Sequence, residues 1–187
     1  MFSGAVERAL RAAHAAHEGQ ERKGGGVPYL LHPLHAALIL ARVGADDETL
    51  QAAILHDVVE DCDEWTIERV EVEFGARVSA IVAEVTENKD LSWEDRKQAQ
   101  VDHVAHISQE ARMVKAADKL HNLSSLLDDL RMATNPRDVW RYFSRGPEQT
   151  LAMARDLVNA LTAHVDDRLA APLRKTLEEL ESFVERS

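Results

Sequence analysis

Residues 52–61 read AAILHDVVED, so an apolar run leads directly into one histidine and three carboxylates. The apolar half is typical of a buried helix, and charged groups that border a core require a partner. On one continuous helix His56 and Glu60 would share a face, and Asp57 and Asp61 would share a neighbouring face. A bound divalent cation is one partner for such a cluster, and a solvated acidic helix end is the simpler alternative.

The pattern outside this run predicts helices throughout the chain and no alternating strand. Capping residues, glycines and prolines suggest where each helix begins and ends. The predicted helices cover about residues 3–18, His32–Gly44, Asp46 or Asp47 to Val58, Thr66–Gly75, 76–86, Ser92–Ile107, Ser108–Leu130, a segment from Pro136 interrupted at Gly146-Pro147, 151–161, and 169–184 with a bend or break at Pro172. We therefore expect one all-α domain over residues 1–187, folded as a compact multi-helix bundle.

The overall charge limits the partners of this chain. With 33 acidic and 22 basic side chains the net charge is −11, which disfavours general nucleic-acid binding but not a small phosphorylated ligand held by a local cationic site. No apolar stretch approaches the roughly 20 residues that span a bilayer, and the N-terminus resembles an amphipathic helix rather than a signal peptide. Cys62 is the single cysteine, which excludes an internal disulfide. We expect a cytoplasmic protein without a membrane or nucleic-acid partner; its oligomeric state is left open.

Three further residues are candidates for a metal site that includes His56 and Asp57. His32 begins a predicted helix, with His35 as its competitor, and Asp118 interrupts an otherwise apolar helical stripe. An unpaired buried carboxylate is costly, which makes Asp118 the more informative signal. Together the candidates give two histidines and two aspartates, a mixed nitrogen and oxygen set that suits Mn, Fe or Zn better than Mg.

The order of these residues resembles the HD phosphohydrolase superfamily, and more narrowly the hydrolase domain of RelA/SpoT-type alarmone enzymes. The stand-alone small alarmone hydrolases of that group, including metazoan SpoT homologues, are similar over about residues 5–160, and residues 161–187 lie outside the resemblance. The stretches that carry it are Arg22-Lys23, 28–33 (PYLLHP), 52–61, Phe74-Gly75, Val85-Thr86, Arg96-Lys97, 117–123 (ADKLHNL) and Tyr142-Phe143.

The resemblance implies a role for each matching residue. It implies metal ligands, usually of Mn²⁺ with another divalent metal as the alternative, at His32, His56, Asp57 and Asp118. It implies that Glu60 and Asp61 orient and deprotonate the attacking water. It implies substrate contacts at Arg22, Lys23, Lys97, Asn122 and Tyr142.

The activity that the resemblance implies is metal-dependent hydrolysis of guanosine 3′,5′-bis(diphosphate) or its pentaphosphate relative, the alarmones of the stringent response. Cleavage at the 3′-pyrophosphate would release pyrophosphate and GDP or GTP. The alternatives are an HD phosphohydrolase that acts on another nucleotide or on NADPH, and a degenerate domain that only binds. Two stretches depart from the family pattern, namely the glycines 24–26 and the helix-breaking residues 144–147. The bifunctional enzymes continue into a synthetase domain, so alarmone synthesis is not expected here.

Overall fold

The computed structural model describes residues 3–186, so Met1, Phe2 and Ser187 of the predicted domain lie outside the described residues. This range contains eleven helices: α1 (Gly4–Ala16), α2 (Leu31–Arg42), α3 (Asp47–Leu55), α4 (Val58–Asp61), α5 (Ile67–Phe74), α6 (Ala76–Val85), α7 (Trp93–His103), α8 (Gln109–Met132), α9 (Pro136–Trp140), α10 (Gly146–Thr162) and α11 (Asp167–Arg186). Within residues 3–186, β-type pairing is confined to an isolated bridge between Glu21 and Pro28. The predicted all-α class is confirmed.

Local capping explains most of the helix starts. A side-chain oxygen accepts a hydrogen bond from a backbone N–H of the first turn at Ser3, Asp46, Thr66, Ser92, Ser108 and Asn135. Such a bond satisfies one of the N–H groups that the start of a helix leaves without a partner. The choice between Asp46 and Asp47 is settled in favour of Asp46. Gly75, with φ of 94°, ends α5 and joins it directly to α6, a conformation that favours glycine.

Two helices form the centre of the bundle. Helix α3 packs against α1, α2, α6 and α8, and the 24-residue α8 also contacts α2, α10 and α11. Leu55 of α3 and Leu130 of α8 are among the largest fully buried side chains, and Leu40 of the neighbouring α2 joins them in the core. Because α3 and α8 meet at the core, the residues at the end of α3 and in the middle of α8 are held by the best-packed part of the molecule.

Four predicted boundaries were wrong. Helix α3 ends at Leu55 instead of continuing to Val58, α7 ends at His103 instead of Ile107, and α11 continues through Pro172 without a break. Gly146-Pro147 begins α10 rather than interrupting a helix, because proline at the first turn removes no intrahelical hydrogen bond. Between residues 3 and 186, no helix combines the length and apolar character that crossing a bilayer requires.

Candidate metal and catalytic centre

The interruption of the helix at His56 and Asp57 brings both side chains to one place. His56 ends α3 with φ −60° and ψ −30°, Asp57 follows with φ −98° and ψ −8°, and α4 starts at Val58. On a continuous helix adjacent side chains diverge by about 100°. Here Nε2 of His56 lies 3.2 Å from Oδ2 of Asp57. The expectation that His56 and Glu60 share one helix face is therefore replaced by a turn that presents His56 and Asp57 together.

His32 and Asp118 complete this cluster from two other helices. Nε2 of His32, in the first turn of α2, lies 3.0 Å from Oδ1 of Asp118 on α8 and 3.4 Å from Oδ2 of Asp57. The ligand atoms of His32, His56 and Asp118 all lie within 4.8 Å of one another. His35, the competing histidine, is exposed and stacks edge-on against His121 instead. All four side chains of the predicted ligand set thus meet, although they come from three separate parts of the chain.

The electrostatics of the cluster favour a positive charge. Burial alone would lower the pKa of His56, but the neighbouring Asp57 and Asp118 outweigh it and raise this pKa to about 9. Burial likewise opposes the charge of Asp118, yet the neighbouring imidazoles of His32 and His56 hold its pKa well below the usual range. The buried Nε2 of His56 makes no well-aligned hydrogen bond within the described chain. Two imidazole nitrogens and two carboxylates in such a field fit a divalent cation.

Glu60 and Asp61 lie beside the cluster on the short helix α4. Burial, together with the charges of Asp57, Glu87 and Asp61, raises the pKa of Glu60 to about 7, although a hydrogen bond from the backbone N–H of Glu87 opposes the shift. That bond is 2.6 Å long and reaches Oε1 of Glu60. Asp61 is about one-third exposed and accepts a hydrogen bond of 3.0 Å from Nζ of Lys89. A partly buried carboxyl with a pKa near neutrality is suited to accept a proton at physiological pH.

The hydroxyl of Tyr29 contacts both Asp57 and Asp61. The resemblance implies different roles for these two carboxylates, a metal ligand at Asp57 and a contact with the attacking water at Asp61. Oη of Tyr29 lies 2.8 Å from Oδ2 of Asp57 and 3.0 Å from Oδ2 of Asp61. A phenol has one proton to donate, so the two carboxylates share it. From the sequence, Tyr29 is part of the motif at 28–33 and has no predicted role of its own. Its position three residues before His32, in the loop that enters α2, was the available signal.

The predicted substrate cations form a group on one side of this centre. Nη2 of Arg22 donates to Oδ1 of Asn122 over 2.7 Å, and Nδ2 of Asn122 donates to Oδ1 of Asp118 over 2.6 Å. Burial lowers the pKa of Lys23, and the nearby charges of Arg22 and Lys97 lower it further. Three cations therefore lie close enough to repel one another, an arrangement that an anionic ligand would stabilise.

Two of the predicted substrate residues are engaged elsewhere. Nζ of Lys97 donates to Oε1 of Glu87 over 2.6 Å, and Arg96 lies 3.5 Å from the other carboxylate oxygen. Tyr142 is 39% exposed, follows α9, and accepts a hydrogen bond from its neighbour Arg141. Phe143, the residue after Tyr142, contacts Nζ of Lys23 through its ring face. Glu87 was not predicted as a site residue. It follows the Val85-Thr86 stretch, and the only sequence feature that pointed to it was the pair of cations Arg96 and Lys97 further along the chain.

The fold and the centre define a helical domain with a histidine–aspartate cluster assembled from separate helices. The sequence model of the HD domain family matches residues 9–145, and the chain belongs to this family.

Proteins of known activity share this similarity. Over 145 residues the chain is 43% identical to the guanosine-3′,5′-bis(diphosphate) 3′-pyrophosphohydrolase MESH1 of Xenopus tropicalis. The aligned region covers 74% of this chain and 80% of that protein. The human MESH1 protein is 47% identical over 113 residues, 59% of this chain and 63% of its own length. A Vibrio cholerae enzyme of the same name is 41% identical over 65% of this chain but only 18% of its own length.

The structural comparison extends the similarity to the C-terminal helices. A solved structure described as a metazoan ortholog of SpoT that hydrolyses ppGpp superposes with a TM-score of 0.80 and 32% sequence identity. The superposition covers 96% of this chain and 97% of that one. A Listeria monocytogenes protein superposes with a TM-score of 0.71 over 82% of this chain. The predicted resemblance is confirmed, and it extends past residue 160.

Proposed function

We propose that this protein hydrolyses guanosine 3′,5′-bis(diphosphate) at its 3′-pyrophosphate. The observation that carries the proposal is the meeting of His32, His56, Asp57 and Asp118 beside the partly buried carboxyl of Glu60. Similarity to MESH1 proteins and to the metazoan SpoT ortholog supports this choice of substrate. In the proposed reaction, water attacks the phosphorus atom that is attached to the 3′-oxygen. The bond between this phosphorus and the 3′-oxygen breaks, and pyrophosphate and GDP are released.

We propose a divalent cation at the cluster, with Mn²⁺ as the resident ion. The mixture of two imidazoles and two carboxylates supports Mn²⁺ over Mg²⁺, which prefers oxygen donors alone. When bound, such an ion supplies Lewis-acid polarisation of a phosphoryl oxygen and acidifies water. His32, His56, Asp57 and Asp118 would hold it.

The protein's own side chains perform the remaining tasks. Glu60 is the general base, because its partly buried carboxyl lies beside the cluster and has a pKa of about 7. Asp61 shares the Tyr29 proton with Asp57, which fixes the position of its carboxylate, and this carboxylate orients the attacking water. Arg22 and Lys23 offset the charge of the 3′-pyrophosphate, and Asn122 positions Arg22 against Asp118.

The direct test is incubation of the purified protein with Mn²⁺ and the tetraphosphate, followed by ion-exchange separation of the products. We expect pyrophosphate and GDP in equal amounts. A panel with the pentaphosphate, other nucleoside phosphates and NADPH tests the alternative substrates in the same assay. Absence of pyrophosphate release at high enzyme concentration, with turnover of another member of the panel, would replace the proposed substrate.

Asp118→Ala tests the proposed ligand set. Loss of a group that only hydrogen-bonds a metal ligand weakens metal binding roughly 10- to 100-fold. We expect loss of the ligand Asp118 itself to weaken Mn²⁺ binding by more than this and to abolish turnover. Calorimetric titration with Mn²⁺ measures the first effect. Asp128→Ala is the matched control, because Asp128 lies on the same helix with a side chain 75% exposed. Equal Mn²⁺ affinity of Asp118→Ala and the control would remove Asp118 from the set.

The cytoplasmic location stays a prediction from the sequence.

A further inference from the structure

The two histidines of the cluster are held in place by different partners. Each directs Nε2 at the carboxylates, so Nδ1 of each ring faces away from the centre. Nδ1 of His56 lies 2.8 Å from the backbone oxygen of Ala53, which can only accept a proton. Nδ1 of His32 lies 2.8 Å from Nδ1 of a third histidine, His121 on α8.

Two ring nitrogens at this distance share one proton, so one donates and the other accepts. If Nε2 of His32 offers its lone pair to a cation, the proton of a neutral His32 ring is on Nδ1. Nδ1 of His121 is then the acceptor, and the His121 proton is on Nε2. That atom faces Oγ of Ser125 at 3.5 Å, one turn further along α8. The chain from Ser125 through His121 to His32 is therefore consistent with a single set of tautomers.

The geometry also argues against His121 as a ligand itself. Its Nδ1 is occupied by His32 and its Nε2 points towards Ser125. The rings of His121 and His32 are tilted by 50° with centroids 4.8 Å apart. His121 therefore packs against the His32 ring on the side that carries Nδ1, away from the centre. A ligand histidine commonly donates its other nitrogen to a group that fixes its orientation and tautomer.

We propose that His121 is a positioning residue that accepts a hydrogen bond from Nδ1 of His32 and thereby raises the affinity of the centre for a divalent cation. This inference rests on the proposed metal centre but not on the identity of the substrate. Metal affinity measured without substrate therefore separates it from the proposed alarmone hydrolysis.

Three variants test the role of His121. His121→Leu removes the acceptor, His121→Asn places an amide oxygen close to the position of Nδ1, and His35→Leu alters the exposed histidine that also stacks on His121. In calorimetric titrations with Mn²⁺ we expect His121→Leu to bind about 10- to 100-fold more weakly than the unmodified protein. His121→Asn should recover most of the affinity, and His35→Leu should bind like the unmodified protein.

Nuclear magnetic resonance of the unmodified protein loaded with diamagnetic Zn²⁺ provides a readout that mere packing would not change. Long-range ¹H–¹⁵N correlations should show the proton of His32 on Nδ1 and the proton of His121 on Nε2. The inference is overturned if His121 carries its proton on Nδ1, or if His121→Leu binds Mn²⁺ as tightly as the control. It is also overturned if His121→Asn loses as much affinity as His121→Leu, because ring packing would then be the cause. No binding of Mn²⁺ or Zn²⁺ by the unmodified protein would overturn the metal centre together with this inference.

Discussion

Glu60 combines partial burial with proximity to three other carboxylates, and this combination affects stability as well as chemistry. Its pKa is raised from 4.5 to about 7, so between these values the folded protein binds a proton that the unfolded chain has released. Since stability falls with rising pH wherever the folded state binds more protons, the ionised Glu60 destabilises the fold above pH 7. A catalytic base whose pKa is raised to about 7 is thus maintained at a cost in free energy.

We predict that Glu60→Gln is more stable than the unmodified protein at pH 8, by about 1 to 3 kcal/mol, and nearly equal at pH 4.5. Urea unfolding at both pH values in the presence of a chelator measures the difference. Glu64→Gln serves as the control, because Glu64 is 91% exposed on the same acidic stretch. A stability difference that does not change between pH 4.5 and pH 8 would contradict the raised pKa of Glu60. The same variant is expected to bind Mn²⁺ but to lose turnover.

At this scale the sequence could identify residue types but not always the particular residue. The cost of burying Asp118 in an apolar stripe is a property of the sequence itself, so this candidate could be found before the structure. His32 and His35 could be distinguished only by resemblance, because both lie in the first turns of one helix. The roles of Tyr29 and His121 depend on contacts across 28 to 89 residues of sequence, which no local pattern indicates.

Glu87, in the loop between α6 and α7, pairs with two cations, Arg96 and Lys97. The Glu87 side chain accepts hydrogen bonds from Lys97 and Gln100, and its backbone N–H donates to Glu60. To make the substrate contact that the resemblance implies, Lys97 would have to exchange an internal carboxylate for a phosphate. The Glu87 carboxylate would compete with the phosphate for Lys97 and weaken that predicted contact.

We predict that Glu87→Gln lowers the KM for the tetraphosphate about 2- to 5-fold, the range expected from loss of a partly exposed ion pair. The backbone N–H of residue 87 remains, so the hydrogen bond to Glu60 should persist. Loss of the Glu87 charge should lower the pKa of Glu60 and move the pH profile of turnover to lower pH. Steady-state kinetics at constant ionic strength provide the measurement. Glu94→Gln is the control, since Glu94 pairs with Arg145 and has no contact with Lys97 among the described ion pairs. A higher KM for Glu87→Gln would show that Glu87 organises Lys97 for the substrate rather than competing with it.

Helix starts were predictable from sequence because capping is a local interaction, as at Thr66, Ser92 and Ser108. The interruption after Leu55 was not predictable, because residues 52–61 have no proline or glycine to end a helix. The backbone there stays close to helical values. It is the arrangement of α3 against α2 and α8 that brings His56 and Asp57 to His32 and Asp118, and this arrangement is tertiary.

For the whole molecule, α8 connects the candidate centre to the C-terminal helices. It carries Asp118, His121 and Asn122 towards α2 and α3, while α11 packs along it and also against α10. Residues beyond 160 lay outside the resemblance seen in the sequence, yet Leu169, Leu173 and Leu180 of α11 are fully buried. The amphipathic pattern of α11 was visible in the sequence, but its partner helix was not.

We predict that Leu173→Ala lowers the free energy of unfolding by about 2 to 5 kcal/mol, because it leaves a cavity in the interface of α11. Urea unfolding measures this loss, and Lys175→Ala provides the control, since the Lys175 side chain is 76% exposed and should change stability by less than about 0.5 kcal/mol. Well below the unfolding transition, Leu173→Ala should bind Mn²⁺ as the unmodified protein does, because α8 keeps its contacts with α2 and α3. A variant that stays fully folded but loses Mn²⁺ affinity would mean that α11 determines the position of Asp118 directly. If stability is unchanged, α11 does not belong to the cooperative core.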